Sequence, residues 1–230
     1  MSENIYYISY SIALGSAILY TVMYMKGTLS KKYKYFVFFL ISMFSLDFIA
    51  NLLYEIQDFI EGYEGNNLPV YALLTLLEFN FLFLFYKGLS EDKITKKVIW
   101  FNTWLFNIVF IVSTLYYLYS GIFLDEYNSI ASTSGGILIA IVFFMFMREF
   151  LISNKILNYK KNLTFWITFG LLFYYLASIP ASLFLNYSEF DSIEAGKDAA
   201  DDHALIHFYL GLFMHSCFMF GLLWSKKKEE

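Results

Sequence analysis

Cysteine, arginine, proline and histidine are nearly missing from this 230-residue chain. The lone cysteine, Cys217, excludes an intrachain disulfide and a thiolate metal cluster. Arg148 is the one arginine, so lysine carries almost all the positive charge. Two prolines, Pro69 and Pro180, and twelve glycines are too few to break the apolar runs into short pieces. All three histidines, His203, His207 and His215, fall near the C-terminal end, which excludes a haem pinned by histidines from two separate segments of one chain. The last apolar segment holds no lysine for a retinal Schiff base. Charge itself is scarce: 16% of residues, against about one quarter in soluble domains.

What is abundant is hydrocarbon. Hydrophobic residues make up 59% of the chain and aromatics 22%. A bilayer core of about 30 Å needs about 20 helical residues to cross it. Seven apolar segments approach or exceed that length, at 5–25, 35–54, 69–86, 98–119, 130–150, 163–185 and 204–224. Runs such as LLTLLEFNFLFLF and IVFFMFM are continuous, where the strands of a membrane barrel would alternate. A helix also satisfies its own backbone in lipid. The sequence therefore predicts an all-α integral membrane bundle of seven transmembrane helices, forming a single domain over 1–230. Pro69 suits a first helical turn, and Pro180 should kink the sixth span.

Basic residues separate cleanly by loop. Lys26, Lys31, Lys32 and Lys34 follow the first segment, and Lys87, Lys93, Lys96 and Lys97 follow the third. Arg148 ends the fifth with Lys155, Lys160 and Lys161 after it, and Lys226, Lys227 and Lys228 follow the seventh. Fifteen of the sixteen basic residues thus share one side, with Lys197 on the other. The remaining loops are acidic. By the positive-inside rule the N-terminus is outside and the C-terminus cytoplasmic. The first segment has no preceding lysine or arginine and does not read as a cleaved signal peptide.

An ionisable side chain inside a span is costly and calls for a reason. Asp47, Asn51 and Glu55 recur every fourth residue and share a helix face. Glu78 lies roughly 14 Å along the third span from Pro69, at 1.5 Å per residue. Tyr174 and Ser178 lie near the middle of the sixth span, and His207 and His215 in the seventh. If the helices close into a bundle, Asp47, Asn51, Glu78, Tyr174, Ser178, His207 and His215 line one polar cavity in its outer half. Glu78 is then expected to pair with His215 or Asp47. The competing reading makes the buried acids interhelical glue, the role assigned here to Asn102 and Asn107. Trp100, Trp104, Trp166 and Trp224 fit an interfacial belt. The NYS sequon at Asn186 matters only in a host that glycosylates.

HALIH sets His203 and His207 four apart, on one helix face. With a carboxylate such as Asp47 they offer three zinc ligands and an open position. At motif level this resembles the seven-span hydrolases that include alkaline ceramidases and adiponectin-receptor-like proteins, although no histidine lies outside the seventh segment. That resemblance implies a zinc-dependent membrane lipid hydrolase as an alternative.

A wider resemblance rests on YALLTLLEFNFLFLFYKGL, on GGILIAIVFFMFMREFL and on KNLTFWITFGLLFYYLASIP. These resemble bacterial seven-span integral membrane proteins of undetermined role, similar to the membrane sensor modules of some histidine kinases. Glu78, Phe165-Trp166-Ile167 and Pro180 carry the match. The resemblance implies a receptor-like or sensory module in a bacterial cytoplasmic membrane, with no catalytic residue and no cofactor. Six residues follow the seventh segment, so a separate cytoplasmic or membrane partner is expected to carry the signal. Membrane lipid is the other expected partner, and nucleic acid is not one. A non-catalytic subunit of a larger membrane complex is the remaining alternative.

Overall fold

The computed structural model describes residues 3–56, 66–124, 126–187 and 193–225. The side chains of Glu55, Lys155, Asn186 and Lys197 lie outside the described residues, as do the acidic stretches 57–65 and 188–192 and the tail 226–230. Among the described residues there is no strand. Seven α-helices follow one another: α1 (Glu3–Met25), α2 (Lys34–Ile56), α3 (Leu68–Leu89), α4 (Lys93–Tyr119), α5 (Ser129–Ile152), α6 (Leu163–Tyr187) and α7 (Ile193–Trp224). A 3-10 turn, Lys31–Tyr33, leads into α2, and a second 3-10 segment, Asn154–Lys161, joins α5 to α6. Six helices are long and apolar enough to cross a membrane, and α1 contributes a shorter apolar stretch, Tyr10–Met25.

Helix boundaries follow local chemistry more closely than hydropathy does. Asp92 stands before α4 and its carboxylate accepts hydrogen bonds from the Thr95 amide (3.0 Å) and hydroxyl (2.9 Å). That cap satisfies an otherwise orphaned N–H and starts α4 at Lys93, five residues before its apolar run. Similarly, α7 begins at Ile193, well ahead of its apolar stretch Leu205–Trp224. Pro69 occupies the first turn of α3, where a missing N–H costs nothing. Pro180 lies inside α6, which continues past it to Tyr187.

Two compact units divide the chain, Leu19–Val142 and Met1–Ile18 with Phe143–Glu230. In the first unit α2, α3 and α4 pack in sequence. Phe36 meets Phe85 and Phe38 meets Phe81, while Phe79 and Phe83 meet Phe106. Residue numbers rise on one helix as they fall on its neighbour, so α2 and α3 are antiparallel. Tyr20, Phe36, Phe39, Phe85 and Tyr86 form a fully buried aromatic core. In α5, Gly135 gives its missing side chain's space to the Phe79 ring.

The second unit is built on α6 against α7. Gly221 lies against Leu163 and Trp166, Gly170 against Met214 and Cys217, and Phe173 against Phe213. A β-carbon on Gly221 would stand 2.7 Å from that of Trp166. Small residues at such contacts let helix backbones approach closely, as membrane helix pairs require. Trp166 is fixed further by its indole N–H, which donates to the Lys160 carbonyl at 2.9 Å.

Helix α4 is turned inside out relative to a helix in water. Trp100, Trp104, Ile108, Ile111 and Leu115 recur every three or four residues, and each is more than half exposed. Its buried face carries Ile99, Asn102, Phe106, Ser113 and Tyr117. An exposed apolar stripe of this length would be a liability in water. In lipid it is the stable arrangement, with amides and hydroxyls facing protein partners.

Candidate functional site

Each of the two units brings polar side chains together along its helices. Around Glu78, in the Leu19–Val142 unit, α3 meets the segment that connects α4 to α5. Glu78 is half-buried. One turn earlier on the same face, the Thr75 hydroxyl lies 3.1 Å from that of Tyr127. Tyr127 also hydrogen-bonds Ser132, and the negative charge of Glu78 reaches it electrostatically. The tyrosine ring is 40% exposed. Its hydroxyl end is enclosed, which raises the phenol pKa above its ordinary value; the bonds from Ser132 and Thr75 oppose that rise, and Glu78 adds to it.

Asn128 holds the segment that carries Tyr127. Its amide N–H group donates to the Ser113 hydroxyl (3.0 Å) and lies 3.3 Å from that of Thr114, while its oxygen accepts from the Ala131 amide (3.1 Å). Asn66 donates to the Leu124 carbonyl from the other side at 2.6 Å. Tyr127 is thus a loop residue anchored through its neighbours and aimed at α3.

Asp47 and Asn51 pair along α2. The Asn51 amide donates to the Asp47 backbone carbonyl at 2.8 Å and to its carboxylate at 3.3 Å. Nearer the middle of the helices, Asn80 and Asn107 exchange two hydrogen bonds, of 3.2 and 3.0 Å, between α3 and α4. Each also donates to the carbonyl four residues back on its own helix. Asn102 donates to the Leu138 carbonyl at 3.1 Å. Asn102 and Asn107 therefore join helices, as their sequence positions imply.

The other unit holds the histidines. His203 and His207 have ring centroids 4.3 Å apart, and the Tyr174 hydroxyl lies 3.4 Å from His207 Nδ1. Partial burial lowers the pKa of His203 below its ordinary value. His215 reaches α1, where its Nδ1 lies 2.8 Å from the Ser16 hydroxyl. Ser16 also donates to the Ala13 carbonyl at 2.8 Å. A serine has one proton to give, so with it on Ala13 the imidazole donates from Nδ1. Ser178 is buried, and its hydroxyl turns back towards the Tyr175 carbonyl.

Of the residues expected to line one cavity, the structure pairs Asp47 with Asn51 and Tyr174 with His207. His215 bonds Ser16, Asp47 bonds Asn51, and the charge of Glu78 reaches Tyr127. Tyr127, Ser16 and Asn80 were not singled out from the sequence. Asn80 carried a readable signal, since an amide two residues from Glu78 in an apolar run also needs a partner. Among the described residues, no group of three His, Cys, Asp or Glu side chains is placed to hold a metal ion.

Among the described residues every regular element is helical and six helices are long and apolar enough to span a bilayer, the makeup of an integral membrane protein. No family model, curated protein or solved structure matches this chain.

Proposed function

We propose that this protein is a receptor-like or sensory module of a bacterial cytoplasmic membrane, with seven spans and its N-terminus outside. On this reading α1 is the seventh span; its 23 residues extend about 35 Å at 1.5 Å per residue, enough for a core of about 30 Å. The distribution of lysine supports the orientation. The observation that carries the sensory reading is the Glu78 group. An acid within an apolar span acts electrostatically on a tyrosine supplied by a loop, so a small or lipidic molecule bearing a cation or hydrogen-bond donor would enter from the loop side and displace that tyrosine. The change would pass along α3 to its lysine-rich end, where a separate partner reads it. The resemblance to kinase sensor modules supports the same reading.

Glu78→Gln tests it, because the amide keeps the shape of the acid and one accepting oxygen while removing its charge. Exchanged in the native host, this variant is expected to fold with stability within about 1 kcal/mol of wild type and to lose the phenotype that deletion of the chain also loses. A wild-type phenotype, or a loss that follows unfolding in a thermal-melt assay, would return Glu78 to the role of glue. The zinc hydrolase reading keeps its His203–His207 pair in contact and needs a third ligand from a carboxylate.

A further inference from the structure

The lysines of the Leu19–Val142 unit gather at one end of its helices. Tyr33 is buried against Phe85, with ring centroids 6.0 Å apart, and acts as a peg. Its neighbours Lys31, Lys32 and Lys34 are exposed. Phe85 stands one turn before the end of α3, so this peg seats the α1–α2 connection against the end of α3 that leads into α4. There Thr95 is fully buried under the Asp92 cap, while Lys93, Lys96 and Lys97 are exposed. Six lysines thus face outward around two inward-pointing anchors. The acids of the same turn are Glu91 and Asp92, leaving a clear excess of positive charge. Lys93, Lys96 and Lys97 are three and four residues apart on one helix, a spacing at which like charges repel.

Directly along α4 from these lysines come Trp100, Phe101 and Trp104, each more than half exposed, as is Ile94 among them. Exposed tryptophan beside lysine, at the end of an apolar helix, is the composition of a membrane–water boundary. Lysine suits that boundary because its apolar stem lies along the helix while its ammonium reaches the surface. Lys34 already shows this habit, with its ammonium 5.5 Å from the centre of the Phe38 ring.

We infer that this lysine-rich end is a docking surface for anionic phospholipid headgroups, with acyl chains lying against the Trp100–Trp104 stripe. Charge complementarity and the continuity of the basic patch with the apolar stripe favour a lipid over an acidic protein, which would have to meet the lysines at the bilayer edge. The inference uses the membrane-spanning fold and does not depend on the sensory reading of Glu78.

The test uses the full chain in bilayers containing equal parts phosphatidylglycerol and phosphatidylcholine, released gently for native mass spectrometry. Phosphatidylglycerol is expected to be retained several-fold over phosphatidylcholine, and less so as salt is raised. Lys93→Gln/Lys96→Gln/Lys97→Gln is expected to bring that enrichment close to parity, each lysine at an anionic surface being worth about fivefold. The matching triple Lys→Arg variant should retain it, which separates loss of charge from loss of fold. Equal retention of the two lipids by wild type, or enrichment unchanged in the glutamine variant, would overturn the proposal.

Discussion

Replacing Gly221 by leucine is expected to push α6 away from α7 and destabilise the protein by about 1–3 kcal/mol, the usual cost of overpacking. The physical reason is the depth of the collision. The first added carbon would stand 2.7 Å from the β-carbon of Trp166 and 3.1 Å from Leu163. A β-carbon cannot swing aside as a side-chain tip can, so the backbone of α6 must move. Trp166 is also tied to Lys160 and stacked edge-on against Phe220 at 4.7 Å, so rotation of the indole disturbs two further contacts. Gly211 on the same helix has nothing within 4 Å of its absent β-carbon, and Gly211→Ala should stay within about 0.5 kcal/mol of wild type. Thermal unfolding in one detergent, with size-exclusion chromatography of each variant, makes the comparison. Equal melting of Gly221→Leu and wild type would show that the helices do not approach as described.

The second large effect belongs to the amide pair between α3 and α4. Asn107→Leu removes both of its contacts with Asn80 and leaves the latter's carbonyl oxygen facing hydrocarbon. Stranding a buried polar group costs about 1–3 kcal/mol, and polar pairs between membrane helices reach couplings near 1.7 kcal/mol. Asn80→Leu should cost a similar amount. The double substitution should cost distinctly less than the two singles added together, because no amide is then stranded. Strict additivity, measured by unfolding in mixed micelles, would mean that the two asparagines do not exchange hydrogen bonds.

Much of the architecture was readable because long apolar runs leave few alternatives. Each of the seven segments became a helix, and Asn102 and Asn107 join helices as their intramembrane positions required. Boundaries were less readable. The caps at Asp92 and the long polar start of α7 depend on local hydrogen bonding and helix propensity, to which hydropathy is blind. The site was legible only in part. Glu78 stands out in any hydropathy scan, but Tyr127, which its charge reaches, belongs to a polar connection, where nothing in the sequence marks one residue as turned inward. His215 and Ser16 are separated by 199 positions, and serine is too common in helices to announce a partner at that distance. Two apolar faces can be matched from periodicity; a single hydrogen bond across the chain cannot.

Labelling of single cysteines bears most directly on the arrangement of this chain in the membrane. In a Cys217→Ala background, Ser2→Cys, Lys97→Cys and Ser120→Cys would each be exposed to a membrane-impermeant maleimide, first in intact cells and then after permeabilisation. Ser2→Cys and Ser120→Cys are expected to react in intact cells, while Lys97→Cys reacts only once the membrane is opened. Reaction of Lys97→Cys in intact cells, or protection of Ser2→Cys alone, would contradict this arrangement: the first by turning the lysine-rich end outward, the second by removing α1 from the set of spans.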